Sequence, residues 1–265
     1  MSKNAKVLAV VNQKGGVGKS TTAVNLSAAL GEAGKKVLMI DMDPQGNATS
    51  GFGLSKSGRE LCVYDALMDE RDPEDPEKLA LGDIMEPYEN FSVDVVPATI
   101  QLAGAEVELV GVMAGREQRL KDLIEPERDK YDYVIIDCAP SLGLLTINAL
   151  TAADGVLIPI QCEFYSLEGL SKLLDSVRLV KRHLNPGLEV FGVVMTMHDG
   201  RTKLAKQVVQ EVRDHFGDDA FETLIPRSVR VSEAPSFGQT VLEYDNSGKG
   251  AAAYRNLAKE VMSRG

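Results

Sequence analysis

Residues 14–21 read Lys14-Gly15-Gly16-Val17-Gly18-Lys19-Ser20-Thr21, and this stretch decides the fold. It follows an apolar run at 7–11 and precedes a helix-like stretch at 22–33. A strand, a glycine-rich loop and a helix in that order form the phosphate-binding loop of P-loop nucleotidases. Glycines let backbone N–H groups wrap the phosphates, and the helix N-terminus adds the positive end of its dipole. We therefore predict that residues 14–21 bind the phosphates of a nucleotide.

Two side chains of this loop have predicted roles of their own. Lys19 is expected to reach the β- and γ-phosphates and to take part in catalysis, and the Ser20 hydroxyl is expected to bind Mg²⁺. The generic motif has a glycine five residues before Gly18, where this chain has Gln13. A second lysine, Lys14, stands at the start of the loop instead, which indicates the deviant form of the motif.

The composition indicates an α/β protein of ordinary globular type. The 265 residues, 44% hydrophobic and 26% charged, are enough for one domain with a large core. We expect a single domain over residues 1–265. No stretch approaches the roughly 20 apolar residues of a membrane span, and the first residues lack the apolar segment of a secretory signal. A cytoplasmic protein is therefore expected.

Three cysteines lie far apart, at Cys62, Cys138 and Cys162, and form no CxxC pair. This spacing favours buried or inert thiols over disulfides or a zinc site. A cluster shared across a dimer axis remains an open alternative, because spacing alone does not exclude it.

The formal net charge of −10 is unevenly distributed. Residues 59–95 contain twelve acidic and three basic side chains, whereas residues 170–230 contain ten basic and eight acidic ones. An acidic total argues against nucleic-acid binding only if the charge is spread evenly. A basic face on this acidic protein therefore remains open.

Apolar β-type runs alternate with helical segments, which is typical of a P-loop α/β fold, a mostly parallel twisted sheet with helices on both faces. The runs are largely unalternating, as in strands buried on both sides. The acidic stretch 68–90 is expected to be a surface excursion with one short helix. Beyond the first strand, we predict strands at 36–40, 92–96, 133–137, 155–160, 188–196 and 222–225, and helices at 20–33, 104–124, 142–152, 166–183, 202–216 and 248–263.

Aspartates close two of the predicted strands. Asp41 and Asp43, in Val37-Leu38-Met39-Ile40-Asp41-Met42-Asp43-Pro44-Gln45-Gly46-Asn47, are two residues apart and so point the same way, at the edge where α/β sheets bind ligands. One is predicted to orient the attacking water and the other to support the metal or the loop. An Asp-Pro turn with a satisfied carboxylate is the alternative. In Tyr133-Val134-Ile135-Ile136-Asp137-Cys138-Ala139-Pro140, Asp137 is predicted to hold Mg²⁺ through water.

With these motifs the chain resembles the ParA/Soj family of chromosome- and plasmid-partitioning ATPases, within the deviant Walker A group that also contains MinD and the nitrogenase iron protein. The resemblance runs over almost the whole chain. Two further stretches separate this family from generic P-loop proteins: Gln161-Cys162-Glu163-Phe164-Tyr165-Ser166-Leu167-Glu168-Gly169-Leu170 and Ile225-Pro226-Arg227-Ser228-Val229-Arg230-Val231-Ser232-Glu233-Ala234-Pro235-Ser236.

The resemblance implies roles for individual residues in binding ATP and Mg²⁺. Lys14 corresponds to the lysine that crosses a dimer interface to the partner's phosphates, so that nucleotide state and dimerisation are coupled. Asp43 corresponds to the catalytic aspartate and joins Ser20 and Asp137 at the metal. Pro226 and Ser228 correspond to adenine-contacting positions. The family commonly has Asn at the second of these, and Ser lacks the amide's paired donor and acceptor.

Members of the family bind DNA without sequence preference as ATP-bound dimers, and a ParB-type centromere-binding protein accelerates hydrolysis to drive segregation. A nucleoid-associated location follows from this resemblance. Non-specific binding needs only a few bases per protomer to neutralise phosphates. The alternative is that the candidate residues are solvated surface bases without a partner. For Arg227, a second alternative is that it binds the nucleotide or forms a salt bridge. The candidates are Arg201, Arg227, Arg230, Lys203 and Lys206.

Three other classes of protein fit the sequence less well. A MinD-like membrane-associated regulator of division, the main alternative, needs an amphipathic C-terminal extension, and residues 259–265 directly follow a core-type helix. A cluster protein like the nitrogenase iron protein needs paired cysteines. An N-terminal helix-turn-helix has no room before residue 14. Slow intrinsic ATP turnover is expected, because no arginine finger in cis is evident.

Overall fold

One mostly parallel sheet organises the computed structural model, which describes residues 4–72, 74–163 and 168–265. Within these residues the strands lie in the order β3-β4-β2-β5-β1-β6-β7-β8, and only the edge pair β3–β4 is antiparallel. The bounds are β1 (Lys6–Val10), β2 (Val37–Met42), β3 (Glu86–Tyr88), β4 (Val93–Val96), β5 (Tyr133–Cys138), β6 (Gly155–Gln161), β7 (Glu189–His198) and β8 (Ala220–Pro226).

Helices cover both faces of this sheet and bury a separate apolar core on each. Side chains of β1 alternate between the two cores, so that Val7 and Ala9 face one and Leu8 and Val10 the other. The helices are α1 (Lys19–Glu32), α2 (Asn47–Gly51), α3 (Val63–Met68), α4 (Leu102–Gly111), α5 (Arg119–Ile124), α6 (Leu144–Ala152), α7 (Glu168–His183), α8 (Lys203–Phe216), α9 (Val229–Glu233), α10 (Val241–Tyr244) and α11 (Lys249–Arg264).

The predicted fold class, a single α/β domain with a mostly parallel sheet, is confirmed. The predicted helix over 104–124 is wrong, because α4 ends at Gly111 and α5 begins at Arg119. In the acidic stretch, a short 3-10 turn at Leu81–Asp83 is followed by strand β3, which the sequence analysis did not predict. The predicted helix start at 166, and positions 164–167 of the family stretch, lie outside the described residues.

Strand order concentrates the site at the carboxyl ends of the central strands. Strand β1 lies between β5 and β6. On one side of it the sheet continues with β5 and β2, and on the other side with β6 and β7. Ligands bind at such a switch point in open α/β sheets, because the loops there diverge and open a crevice. Pairing of β2 with β5 puts Asp41 directly beside Asp137, and pairing of β1 with β5 puts Val10 beside Asp137 on its other side.

None of the helices in residues 4–72, 74–163 and 168–265 combines the length and the apolar character that crossing a bilayer requires.

Gly53 and Gly238 contact each other in two loops beside the crevice at the carboxyl ends of the central strands. Gly53, just after α2, has a φ of 74°, and Gly238, before α10, has a φ of 64°. A Cβ on Gly53 would lie 2.7 Å from the Gly238 carbonyl oxygen, and a Cβ on Gly238 would lie 2.7 Å from the Gly53 Cα. The two backbones are therefore in direct contact, at a distance that only glycine allows.

We predict that Gly53→Ala destabilises the fold by about 2–4 kcal/mol, from left-handed backbone strain plus displacement of Gly238. Gly34→Ala is the matched control, because Gly34 has a φ of 80° and open space around its Cβ position. Its loss should be only about 1 kcal/mol, from the backbone strain alone. Urea unfolding of both variants checks the difference, and equal losses would show that the Gly53–Gly238 contact contributes nothing.

Candidate functional site

A cavity of about 420 Å³ lies at the carboxyl ends of the central strands. A larger cavity, about 840 Å³, lies between α3 and α5 and is lined by none of the predicted site residues. The smaller cavity has the phosphate-binding loop on one side and the segments after β2, β5 and α9 on the others. Its lining residues are Gly15, Gly16, Gly18, Lys19, Ser20, Thr21, Val24, Asn25, Asp43, Gln45, Asn47, Ser50, Gly51, Pro140, Pro235 and Gln239.

The loop has the backbone conformation that phosphate binding requires. Gly16 and Gly18 have φ values of 74° and 88°, in the left-handed region that glycine adopts without strain. Gly18 is the N-cap of α1, and its carbonyl accepts the first helical hydrogen bond, from Thr22 N–H, at 2.8 Å. The N-terminus of α1 therefore opens into the cavity with its unpaired N–H groups, which favours an anion there.

Lys19 is buried at the floor of the loop. Its ammonium donates to the Lys14 carbonyl oxygen at 3.4 Å, within the loop itself. Burial lowers the pKa of Lys19, and the nearby carboxylates of Asp137 and Asp43 oppose this shift. Since the ammonium faces both the loop and the carboxylates, it is placed to meet phosphate oxygens between them.

Asp43 and Asp41 have different surroundings, although they lie on the same side of the chain. Asp43 lines the cavity, and its Oδ1 accepts a hydrogen bond from Gln45 N–H at 2.9 Å. Asp41 is fully buried and accepts three, from Asp43 N–H at 3.1 Å, Thr49 N–H at 2.8 Å and the Thr49 hydroxyl at 2.7 Å. Burial raises the pKa of Asp41 to about 6 against these hydrogen bonds, which lower it. Of the two, Asp43 is the one available to a ligand.

Asp137 is a fully buried carboxylate near the end of β5. Neither of its oxygens accepts a hydrogen bond from the described residues. Burial, and next the Asp41 carboxylate, raise the pKa of Asp137 well above its usual range. The Ser20 hydroxyl is near enough to lower this pKa without reaching hydrogen-bonding geometry. A buried polar group left without a partner is destabilising, so the site is built for a ligand that the protein itself does not supply.

The donors fit a hydrated Mg²⁺. The hydroxyl of Ser20 and the carboxylates of Asp43 and Asp137 are hard oxygen ligands. Among the residues that the structure describes, three aspartates are buried and Lys19 is the one buried cation. In residues 4–72, 74–163 and 168–265, no three His, Cys, Asp or Glu side chains form a site that could hold a metal ion. Mg²⁺ is commonly bound by one or two carboxylates together with water and substrate phosphates.

Lys14 extends to the surface and does not line the cavity. Its ammonium lies 3.8 Å from Glu163 Oε2, and its side chain is 40% exposed. Glu163 Oε1 also accepts hydrogen bonds from the Gln161 amide at 2.7 Å and the Arg227 guanidinium at 3.2 Å. Lys14 and Arg227 are therefore neighbours on one exposed carboxylate.

The cavity includes only part of the predicted binding set. Gly15, Gly16 and Gly18 to Thr21 line it, while Pro226 and Ser228 do not. Pro226 ends β8 and Ser228 is the N-cap of α9, one loop further along the same edge. Val17 of the loop is buried and does not line the cavity. Its carbonyl accepts a hydrogen bond from the Thr196 hydroxyl at 2.8 Å, which ties the loop to β7.

Several lining residues were not predicted. Asn47, Pro140 and Pro235 stand in stretches that carried the resemblance, so position within a motif was the available signal. Gln239 and Asn25 had no such signal, because their place depends on how α10 and α1 pack. Asn25 accepts a hydrogen bond from Val241 N–H at 2.7 Å, which ties α1 to α10.

The five predicted DNA-contacting bases are exposed, and all follow β7 or β8. Register pairs His198 with Pro226, and Arg227 N–H donates to the His198 carbonyl at 3.0 Å, so the two strand exits adjoin. Arg201 is 90% exposed and pairs with Asp199 at 2.7 Å. Arg230 lies 3.5 Å from Glu233 and 5.8 Å from the centre of the Tyr244 ring. Lys203 and Lys206 lie on the first two turns of α8.

We predict opposite stability effects from neutralising Asp137 and Asp41, which are both fully buried. The raised pKa of Asp137 means that its protonated form stabilises the fold in acid, a contribution lost as pH rises through the folded-state pKa. Asp137→Asn should therefore raise the free energy of unfolding of the nucleotide-free protein at about pH 7 by roughly 1–3 kcal/mol, and by less toward about pH 4.

Asp41→Asn is the matched comparison, because its amide nitrogen replaces an oxygen that accepts hydrogen bonds. This variant should lower the free energy of unfolding by roughly 1–3 kcal/mol at about pH 7. Urea titrations at both pH values measure the two effects. Destabilisation by both variants alike would contradict the assignment of Asp137 as the unsatisfied member.

Comparison with known proteins gives the family. A family model described as an AAA domain matches residues 5–190. The chain is 55% identical over 260 residues to the sporulation initiation inhibitor protein Soj of Bacillus subtilis, covering 98% of this chain and 99% of that protein. It is 49% identical over 259 residues to the chromosome partitioning protein ParA of Myxococcus xanthus, covering 98% and 88%.

Solved structures agree with the fold. Cobyrinic acid a,c-diamide synthase from Mycobacterium smegmatis, with bound ADP and magnesium, superposes with a TM-score of 0.83 at 35% identity, over 97% of this chain and 94% of that one. The cell division ATPase MinD from Pyrococcus furiosus, at 23% identity, shows the same fold with a TM-score of 0.78, over 98% and 100%. Because the matches to Soj and ParA, at 55% and 49% identity, extend over nearly the whole chain, the chain belongs to the ParA/Soj family of chromosome-partitioning ATPases.

Proposed function

We infer that this ATPase is a nucleotide-dependent dimer switch: with ATP and Mg²⁺ it forms a homodimer that binds duplex DNA without sequence preference, and hydrolysis resets it. The observation that carries this proposal is the contrast between the two loop lysines. Lys19 is buried in the cavity, whereas Lys14 reaches outward on the exposed rim. A second cation that does not serve its own cavity is suited to a partner's phosphates.

Residues of the cavity divide the work of hydrolysis between them. The N–H groups of Gly15 to Ser20 and the Lys19 ammonium bind the β- and γ-phosphates. Asp43, which also lines the cavity, orients the attacking water. Ser20, Asp43 and Asp137 would hold Mg²⁺, which would supply positive charge to the phosphates. Pro226 and Ser228, at the adjoining strand exit, are proposed to contact the base.

Dimerisation follows from how Lys14 is held before nucleotide binds. Its pair with Glu163 is long, at 3.8 Å, and both side chains are nearly half exposed. Exposed ion pairs of this kind contribute little, on the order of 0–1 kcal/mol. A triphosphate on a second copy carries several negative charges and is therefore the stronger partner for Lys14.

DNA binding follows from where the bases lie. Arg201, Arg227 and Arg230 stand at the exits of adjoining parallel strands, on the same edge of the sheet as the nucleotide. Each is already paired with a carboxylate, and the three arginines are themselves exposed, so DNA phosphates can replace these partners at little cost in free energy. Lys203 and Lys206 make no ion pair with the described residues and extend this basic edge. Two protomers double the number of contacts, so DNA binding depends on the dimer.

A ParB-type centromere-binding protein is the proposed activator of hydrolysis. Intrinsic turnover is slow on this view, because Lys14 in trans is the only added cation proposed for the transition state. Segregation of a chromosome or plasmid, and association with the nucleoid, then follow from repeated DNA binding and release. The MinD-like alternative has no specific observation in its favour.

We predict that Lys14→Ala abolishes ATP-dependent dimerisation, while Asp43→Ala dimerises and remains dimeric because ATP is not cleaved. Light scattering with ATP or ADP and Mg²⁺ measures both effects. Lys36→Ala is the matched control. Lys36 is an exposed lysine at the amino end of β2, whereas the cavity lies at the carboxyl ends of the strands. It should dimerise like the wild type. A monomeric Asp43→Ala protein at saturating ATP would overturn the proposal.

We predict that Arg201→Ala dimerises with ATP but binds arbitrary duplex DNA at least about tenfold more weakly at about 0.1 M salt. The slope of log affinity against log salt concentration should become shallower by about one for each protomer, because each protomer loses one phosphate contact. Gel shifts across a salt series measure both quantities.

Arg71→Ala is the control for this experiment. Arg71 pairs with Asp69 two residues before it at 2.8 Å, as Arg201 pairs with Asp199, but it lies in the acidic segment 59–95. The Arg71 variant should bind DNA like the wild type. Equal loss in both variants would show that total charge governs the binding, and equal retention would remove Arg201 from the DNA surface.

A further inference from the structure

Asp41 is the centre of a buried hydrogen-bond network that joins three segments. Its Oδ1 accepts Asp43 N–H at 3.1 Å, and its Oδ2 accepts both the N–H and the hydroxyl of Thr49, at 2.8 and 2.7 Å. The Thr49 oxygen in turn accepts Ala98 N–H at 2.9 Å. The end of β2, helix α2 and the segment after β4 therefore meet at one threonine hydroxyl.

The network is shielded from solvent, and each hydroxyl and carboxylate atom in it is used. Asp41, Thr49 and Ala98 are all fully buried. The Thr49 hydroxyl donates one hydrogen bond and accepts another, which fixes the direction of its proton. Networks satisfied in this way hold their members in one arrangement, because any change leaves a buried group without a partner.

The network determines where the Asp43 carboxylate points. Asp41 fixes the Asp43 main chain through its N–H, and the following turn is closed by Gly46 N–H donating to the Asp43 carbonyl at 2.8 Å. Within that turn, Gln45 N–H donates to Asp43 Oδ1. The side chain of Asp43 is thus tied to its own backbone, and its backbone is tied to Asp41.

We propose that Thr49 is a positioning residue for ATP hydrolysis, which acts through Asp41 to hold the Asp43 carboxylate against the attacking water. Thr49 is fully buried and is not among the residues that line the cavity. This role rests on the proposed function of Asp43. Small misplacements of an orienting group reduce the rate of the chemical step far more than they reduce substrate binding.

Thr49→Val tests the role, since it keeps the branched shape and removes the hydroxyl. The oxygen that Asp41 and Ala98 share is lost, while Thr49 N–H still donates to Asp41 through the backbone. In steady-state ATP turnover, kcat should fall about tenfold and KM should stay within about twofold of the wild type. Thr49→Ser restores the hydroxyl, and kcat should return to within about threefold of the wild type.

Thr99→Val is the matched control. Thr99 is also buried in the segment after β4, and its hydroxyl oxygen accepts Gln101 N–H at 3.3 Å and lies 3.3 Å from the Cys62 sulfur. It has no hydrogen bond to Asp41 or Thr49. Its kcat should stay within about twofold of the wild type, although its melting temperature falls like that of Thr49→Val.

Asp43→Ala, assayed in parallel, separates this inference from the proposed function. If Asp43→Ala still hydrolyses ATP like the wild type, the role of Asp43 is wrong. If Asp43→Ala is inactive and Thr49→Val keeps full kcat, the positioning role of Thr49 is wrong. Equal losses of kcat in Thr49→Val and Thr99→Val, or no rescue by Thr49→Ser, would also overturn it.

Should Thr49→Val not fold, Thr49→Ala leaves room for a water molecule in place of the hydroxyl and is assayed with the same controls. The expected result is again a fall in kcat with KM little changed. A rise in KM with kcat unchanged would assign Thr49 to nucleotide binding and contradict the proposal.

Discussion

Three buried aspartates face one buried lysine at the carboxyl ends of β2 and β5, and the rest of the site depends on this imbalance of charge. Strand register enforces it, because pairing of β2 with β5 sets Asp41 directly beside Asp137. Carboxylates this close disfavour each other's ionised form. The protein satisfies one of them internally, through Thr49, and leaves the other without a hydrogen bond from the described residues. An open requirement for positive charge is thereby built into the resting fold.

The same imbalance explains how the nucleotide loop and the rest of the edge are connected. Lys19 compensates part of the charge from within the loop, because its ammonium interacts with the carboxylates of Asp137 and Asp43. Further from the cavity, the Glu163 carboxylate forms ion pairs with both Lys14 and Arg227. The Glu163 carboxylate therefore connects the phosphate-binding loop to the segment that follows β8.

Much of this was predictable from the sequence. The loop conformation, the strand–loop–helix order and the two aspartate motifs are local features, since glycine spacing and apolar runs determine them. The spacing of Asp41 and Asp43 did not distinguish them, because alternation along a strand gives both the same direction, and only the family resemblance singled out Asp43. The packing of α2 and of the segment after β4 shows that Asp41 is the one held in buried hydrogen bonds. The break between α4 and α5 was missed because apolar spacing persists across Gly111. Gln239 joins the cavity only through tertiary packing of α10 on α1.

The backbone contact between Gly53 and Gly238 has a consequence for how the cavity can change shape. One glycine follows the wall formed by α2, and the other precedes Gln239 in the facing wall. With no side chain between them to act as a spacer, a shift of either loop toward the other displaces the backbone of its neighbour. Enlarging the cavity for a bulkier nucleotide analogue would therefore require coordinated redesign of both loops, and substitutions confined to one of them would strain the other.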